Sequence, residues 1–128
     1  MPPQTVAGLV ADARSRIEEL SPMQLASELE CGDVLLVDIR EPDERQLAGL
    51  IAGGVSAPRG MLEFYADPAS PYHREEFERD RRIVLYCASG GRSALATDAL
   101  RELGYDRVAH LCGGIREWSA AGMELIFE

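Results

Sequence analysis

Lysine is missing from this 128-residue chain; all thirteen basic residues are arginine. No lysine Schiff base can form, and an anionic substrate must be held by arginine or by backbone amides. Basic charge is scarce altogether. Thirteen arginines face 22 acidic residues, for a formal net charge of −9, which argues against nucleic acid or an anionic membrane surface as the main partner. Three cysteines, Cys31, Cys87 and Cys112, are too few and too scattered for a disulfide scaffold, and no CxxC pair exists. The two histidines, His73 and His110, are not at metal-ligand spacing. The start, Met1-Pro2-Pro3-Gln4, lacks the basic and apolar regions of a signal peptide, and no apolar run approaches membrane-spanning length. The expectation is a cytoplasmic, reduced protein, which suits a working thiol.

What is present reads as one globular domain over residues 1–128, 46% hydrophobic and 27% charged, long enough for a single layered core. Val6, Leu9, Val10, Ala13 and Ile17 are spaced as on one helical face, giving an N-terminal helical extension over residues 1–20. Its end, residues 17–20, reads equally as a short edge strand. The core then occupies residues 21–128. Ser21-Pro22 is an N-cap followed by proline at the first helical position, opening a helix to about residue 29. The run Val34-Leu35-Leu36-Val37-Asp38 is apolar until its closing carboxylate, the pattern of a strand buried on both faces. A short helix beginning at residues 40–44, a brief strand at Val55-Ser56 and a helix over 61–65 follow. Residues 67–72 read as a turn-rich surface loop and 75–82 as a charged, solvated stretch. Ile83-Val84-Leu85-Tyr86 is the next buried strand. Then come a helix over 93–103 closed by Gly104, a strand over 107–111 and a last helix over 115–121. Strands alternating with helices imply an α/β fold, a central parallel sheet with helices on both faces, whose ligands sit outside the strands' carboxyl ends. Asp38, Cys87 and Cys112 all fall at such ends and are expected at one rim.

The chemistry concentrates in Cys87-Ala88-Ser89-Gly90-Gly91-Arg92-Ser93. A buried strand ends at a thiol, a Gly-rich turn follows, and a helix opens at Arg92 and Ser93. Unpaired N–H groups at a helix start create a positive field that favours anions and thiolates, and Arg92 adds a full charge. Cys87 is therefore the candidate nucleophile, set against the plainer reading of a small buried residue at a strand end.

Four stretches, in this order, resemble the rhodanese (thiosulfate sulfurtransferase) family of the single-domain kind. They are Asp38-Ile39-Arg40-Glu41 after a buried strand, Gly49-Leu50-Ile51-Ala52-Gly53-Gly54-Val55 before a proline, Cys87 to Ser93, and Leu111-Cys112-Gly113-Gly114-Ile115-Arg116-Glu117-Trp118. The resemblance implies an α/β fold and a cysteine that accepts a sulfane sulfur, becomes a persulfide, and hands the sulfur to a thiophilic acceptor such as cyanide or a thiol. On that reading, thiosulfate or another persulfide donor is held by Arg92 and by the amides of Ala88, Ser89, Gly90, Gly91 and Arg92. The hydroxyls of Ser89 and Ser93 either donate to the anion or cap the turn. No metal or organic cofactor is needed, and a protein is an alternative sulfur donor or acceptor.

Several residues carry two readings. Arg40 either adds positive potential for the substrate or pairs with Asp38 to fix the rim; Asp38 is read as structural. Arg59 has no placement from sequence. Cys112 reads as a small buried residue or as a resolving thiol for the Cys87 persulfide. Cys31 is incidental, Trp118 belongs to the core, and His110 is structural. The chain departs from the family pattern at Leu50, where a histidine is usual, and in a loop with no lysine or second arginine, which leaves room for a donor other than thiosulfate. Phosphatase or arsenate-reductase chemistry is the main rival. Only four residues separate Cys87 from Arg92, where cysteine phosphatases have five, and Tyr86 stands where they usually have histidine. A non-catalytic interaction module is the other alternative, opposed by the retained cysteine.

Overall fold

A computed structural model describes residues 3–128. Five strands form one parallel sheet: β1 Glu18–Leu20, β2 Val34–Asp38, β3 Val55–Ser56, β4 Arg82–Tyr86 and β5 Val108–Leu111, in the order β1-β5-β4-β2-β3. The helices between them are α1 Val6–Arg14, α2 Pro22–Cys31, α3 Pro42–Ala48, α4 Leu62–Ala66, α5 Gly91–Glu102 and α6 Gly114–Ala120, with one 3₁₀ turn, Arg59–Met61, leading into α4. This is the α/β architecture the alternating pattern implies. Among the described residues no helix is long and apolar enough to cross a membrane.

Alternation along each strand sends its side chains to both faces, and both faces are covered. Leu35, Val37, Ile83, Leu85 and Val108 pack with Leu62 and Ala66 of α4 and with Ala96 and Leu100 of α5. Leu36, Val84, Tyr86, Ala109 and Leu111 pack with Leu25 of α2 and with Ile115 and Trp118 of α6. The start of α2 is fixed as its sequence suggests. Ser21 Oγ accepts the Gln24 N–H while Gln24 Oε1 accepts the Ser21 N–H, a reciprocal cap of two otherwise unpaired donors.

One open alternative is decided, and two stretches differ from the sequence reading. The N-terminal extension is not helical to its end: α1 stops at Arg14, and Glu18–Leu20 joins the sheet edge beside β5. The strand reading wins because pairing with β5 puts Leu20, 5% exposed, into the core beside Leu111 and Trp118. The charged stretch over 75–82 is anchored rather than freely solvated. Phe77 is 1% exposed, and Arg82 forks between Glu18 of β1 and Glu28 of α2 with all four bonds at 2.8 Å. Finally, α5 begins at Gly91, two residues earlier than expected, because Gly90 at φ +102° reverses the chain directly out of the loop.

Candidate active site

β4 is the middle strand of the sheet, and Cys87 stands one residue past its carboxyl end. Asp38 closes the neighbouring β2 and Cys112 follows β5, so all three stand at one rim. The Cys87 residue is only 1% exposed and packs in the same cluster as Val37 and Leu85. Its sulfur accepts the Gly90 N–H at 3.2 Å and lies 3.5 Å from Ser93 Oγ. The loop turns back on itself at Gly90, where an added Cβ would lie 3.1 Å from the Gly113 nitrogen. Gly91, Arg92 and Ser93 form the first turn of α5, whose N–H groups have no acceptor within the helix.

The outer side of the loop is held by α6. The Ile115 N–H donates to Cys87 O at 2.9 Å and the Arg116 N–H to Ala88 O at 3.1 Å. In a trans peptide the N–H points opposite to the C=O, so the amides of Ala88 and Ser89 point away from α6. A helix start thus consumes the two carbonyls that would repel an anion and leaves the loop's donors facing the other way.

The side chains expected to hold substrate are placed differently. Arg92 does not cover the sulfur: its guanidinium forks onto Glu44 of α3, Nη1 and Nη2 each at 2.8 Å. The reason is local. α3 crosses the rim with Glu44 in its acidic first turn, and a bidentate carboxylate is a better partner for a guanidinium than water. That pairing draws the Glu44 carboxyl down to about 2. Of the two readings of Arg40, substrate holding and pairing with Asp38, the geometry shows the pairing. Arg40 is 1% exposed, with Nε and Nη2 on the Asp38 carboxylate at 3.0 and 2.8 Å, Nη2 also on Gly49 O at 2.8 Å, and its guanidinium 5.5 Å from the Tyr86 ring centre. Breaking such a buried pair costs about 3–5 kcal/mol, so Arg40 and Asp38 brace the rim together, with Arg45 adding a bond to Asp38 at 3.1 Å. Arg59 pairs with Glu63 on α4. Leu50, where the family usually has histidine, is buried and bridges to Ile126 near the C-terminus. Tyr86 turns to the opposite face of the sheet, its hydroxyl accepting the Ile51 N–H at 3.2 Å; burial pushes its pKa up to about 12. All three cysteines are free thiols. Cys112 is half-buried, 3.8 Å from Arg14 Nη2, and burial followed by the Glu19 charge raises its pKa.

Sequence reasoning missed a chain of side chains behind the nucleophile. Ser93 Oγ lies 2.7 Å from His110 Nδ1, His110 Nε2 lies 2.8 Å from Glu19 Oε2, and Glu19 takes a fork from Arg14 at 2.9 and 3.2 Å. His110 and Glu19 are register partners across β5 and β1. A cavity of about 450 Å³ opens beside the loop, lined in part by Arg14, Glu19, Ser89, Gly90, His110 and Cys112. The signal available in the sequence was a lone histidine inside an otherwise apolar strand; its partners, 17 and 91 residues away, gave none. Among the described residues no three His, Cys, Asp or Glu side chains gather to hold a metal ion.

Comparison with known proteins shows the family and the fold. The sequence profile of the rhodanese-like domain matches residues 21–121. A sulfurtransferase of Allochromatium vinosum is 38% identical over 94 residues, 73% of this chain and 79% of that one. A solved protein of unknown function from Rhodopseudomonas palustris, described as a possible tyrosine phosphatase, superposes with a TM-score of 0.91 at 39% identity over 98% of this chain and 99% of its own. The thiosulfate sulfurtransferase of Pseudomonas aeruginosa superposes with a TM-score of 0.78 at 26% identity; the match spans 95% of this chain but 22% of that longer one. With the profile matched over residues 21–121 and a sulfurtransferase relative 38% identical, the chain belongs to the rhodanese-like domain family.

Proposed function

We propose that the protein is a sulfurtransferase that passes a sulfane sulfur from thiosulfate or another persulfide donor, through a Cys87 persulfide, to cyanide or a thiol, including a protein thiol. In the first half-reaction the Cys87 thiolate attacks the outer sulfur of the donor. A sulfur–sulfur bond forms, the donor's own sulfur–sulfur bond breaks, and for thiosulfate the leaving group is sulfite, which departs with the electron pair. In the second, the acceptor attacks the outer persulfide sulfur and Cys87 leaves as thiolate. One covalent intermediate shared by two half-reactions gives ping-pong kinetics.

The observation that carries this reading is the loop itself. A buried sulfur accepts the Gly90 N–H, and the carbonyls of Cys87 and Ala88 are turned to α6. We assign the anion cradle to the remaining amides, of Ala88, Ser89, Gly91, Arg92 and Ser93. Such a cradle suits a terminal persulfide sulfur, which is small and partly anionic. The phosphatase reading is favoured by one observation, the description of the Rhodopseudomonas relative. Against it stand the four-residue spacing and an Arg92 already committed to Glu44.

The test is mass spectrometry after treatment with thiosulfate or a small-molecule persulfide, for the native protein and Cys87→Ser. We expect a gain of one sulfur on the Cys87 peptide, reversed by cyanide and absent from Cys87→Ser. No gain with any donor would favour a non-catalytic module, and turnover of an aryl phosphate would favour the phosphatase.

A further inference from the structure

His110 is buried, titratable and unused by the reaction as written above, yet it is two hydrogen bonds from the nucleophile. We propose that His110 takes the proton of Cys87 through the Ser93 hydroxyl and returns it when Cys87 is released from the persulfide, with Glu19 holding the imidazole in the tautomer that allows this. The proposal rests on Cys87 being the working nucleophile, and it makes Ser93 and His110 the route by which that buried thiol exchanges its proton.

The direction of each bond follows from the groups at the far end. Arg14 grips the Glu19 carboxylate with two bonds. Burial works to raise the Glu19 pKa, but the hydrogen bonds from Arg14 and His110 outweigh it and hold the group below the usual range. An ionised Glu19 can only accept, so His110 Nε2 carries the hydrogen that bridges the 2.8 Å gap. In the neutral imidazole Nδ1 is then the bare nitrogen, and the Ser93 hydroxyl donates to it at 2.7 Å. That bond is shorter than the alternative from Ser93 Oγ to Gly90 O at 3.3 Å, so the hydroxyl proton goes to the ring. Ser93 Oγ is left as acceptor for the Cys87 S–H at 3.5 Å. Every donor in the chain points from the sulfur toward Glu19.

The shift of protons balances without an outside base. The S–H proton passes to Ser93 Oγ while the Ser93 proton passes to His110 Nδ1, leaving a thiolate and an imidazolium. Ser93 now donates to the sulfur beside Gly90, and the imidazolium faces the Glu19 carboxylate. On release from the persulfide the same steps run backwards. The neutral resting form of His110 is secured by burial, which lowers its pKa, against the opposing pull of Glu19. The charged and titratable groups around the ring come from four elements: Glu19 of β1, Arg14 of α1, Cys87 at the end of β4, and Cys112 at the end of β5. Glu117 of α6 lines the same cavity. Arg14 and Glu19 lie ahead of residues 21–121 that match the family profile, so the outer half of this relay comes from the N-terminal extension.

The test reads Cys87 directly, without any sulfur donor. Iodoacetamide alkylation is followed as a function of pH at the Cys87 peptide, which separates it from Cys31 and Cys112, in the native protein and in Ser93→Ala, His110→Gln and Glu19→Gln. We expect alkylation near neutral pH to slow by about tenfold or more in Ser93→Ala and His110→Gln, at the modest end of what a positioned base supplies. Glu19→Gln should slow it less. In all three the midpoint of the profile should move to higher pH, and the rates should converge on the native value in alkali, where the thiol ionises without help. Profiles superimposable on the native one would overturn the proposal. So would rates depressed equally at every pH, the mark of a merely structural role. If His110→Gln fails to fold, Ser93→Ala and Glu19→Gln decide the matter alone. Because alkylation needs no sulfur transfer, a shifted profile stands even if no donor loads Cys87, and failed loading leaves this test intact.

Discussion

Arg92 shows how one neighbour can change what a residue offers. Its position after the loop makes it the natural clamp for an anion, but the geometry gives both its outer nitrogens to Glu44. Glu44 also accepts the Glu41 N–H at 3.0 Å, so it caps α3 and restrains Arg92 at once. Glu44→Gln keeps the cap, which glutamine serves as well, and frees the guanidinium. We expect a several-fold rise in kcat/KM for thiosulfate in Glu44→Gln, measured as thiocyanate formed with cyanide as acceptor. The same pair sets a pH dependence. Led by the Arg92 hydrogen bond, the Glu44 carboxyl falls from 4.5 to about 2. A group with a depressed folded pKa stabilises above its unfolded value and loses that contribution as pH falls through the folded one. The native protein should therefore lose stability between about pH 4.5 and pH 2 more steeply than Glu44→Gln. Both side chains are about a third or more exposed, at 32% and 42%, so screening keeps the difference under about 1 kcal/mol. Acid titration of the thermal midpoint of both proteins checks it.

At the scale of elements, the site depends on α6, which contributes no chemistry of its own. Gly114 opens that helix at φ +63°, and a Cβ there would stand 2.5 Å from Ala88 O and 2.6 Å from Cys87 O. Those are the carbonyls that α6 holds in place. Gly114→Ala must therefore push the loop outward as well as strain the backbone, whereas Gly122→Ala, at φ +82° with nothing within 4 Å, strains the backbone alone. Each pays about 1–2 kcal/mol for the left-handed conformation. We expect Gly114→Ala to load sulfur on Cys87 at least about tenfold more slowly, equivalent to about 1.4 kcal/mol of displaced cradle, while Gly122→Ala loads normally; stopped loading assays and thermal melts separate the two. This contact also marks where the sequence could and could not be read. Ile83 to Arg92 declared a strand, a thiol and a helix start because each is local and periodic. The Gly113-Gly114 pair declared a turn, but not that its helix would seat on Cys87 O. The edge strand β1 was ambiguous, since three residues carry too little periodicity to outvote the helix before them. With β1 uncertain, the Glu19–His110 pairing across β5 was invisible, and with it the relay.

For the molecule as a whole, the net charge of −9 and the pairing of its arginines act together on an anionic donor. Arg92 is neutralised by Glu44, Arg40 by Asp38, Arg59 by Glu63 and Arg14 by Glu19. The cradle's amides are short-range donors, and these four arginines, each held by a carboxylate, add little to offset the long-range negative field. A dianion such as thiosulfate approaches against that field until salt screens it, over about 10 Å at 0.1 M ionic strength. We expect kcat/KM for thiosulfate to rise as sodium chloride goes from about 0.01 M to about 0.15 M, the reverse of an electrostatically steered enzyme. A monoanionic organic thiosulfonate, which delivers the same sulfane sulfur, should show a shallower slope. Glu44→Gln should flatten the thiosulfate slope too, because the freed Arg92 puts a cation at the mouth. A rate that falls with salt in the native protein would mean that the mouth is already electropositive and that Arg92 leaves Glu44 when substrate arrives. A rate that rises would mean that the field disfavours free anions, so donors presented on a basic protein surface reach Cys87 more readily than thiosulfate in solution.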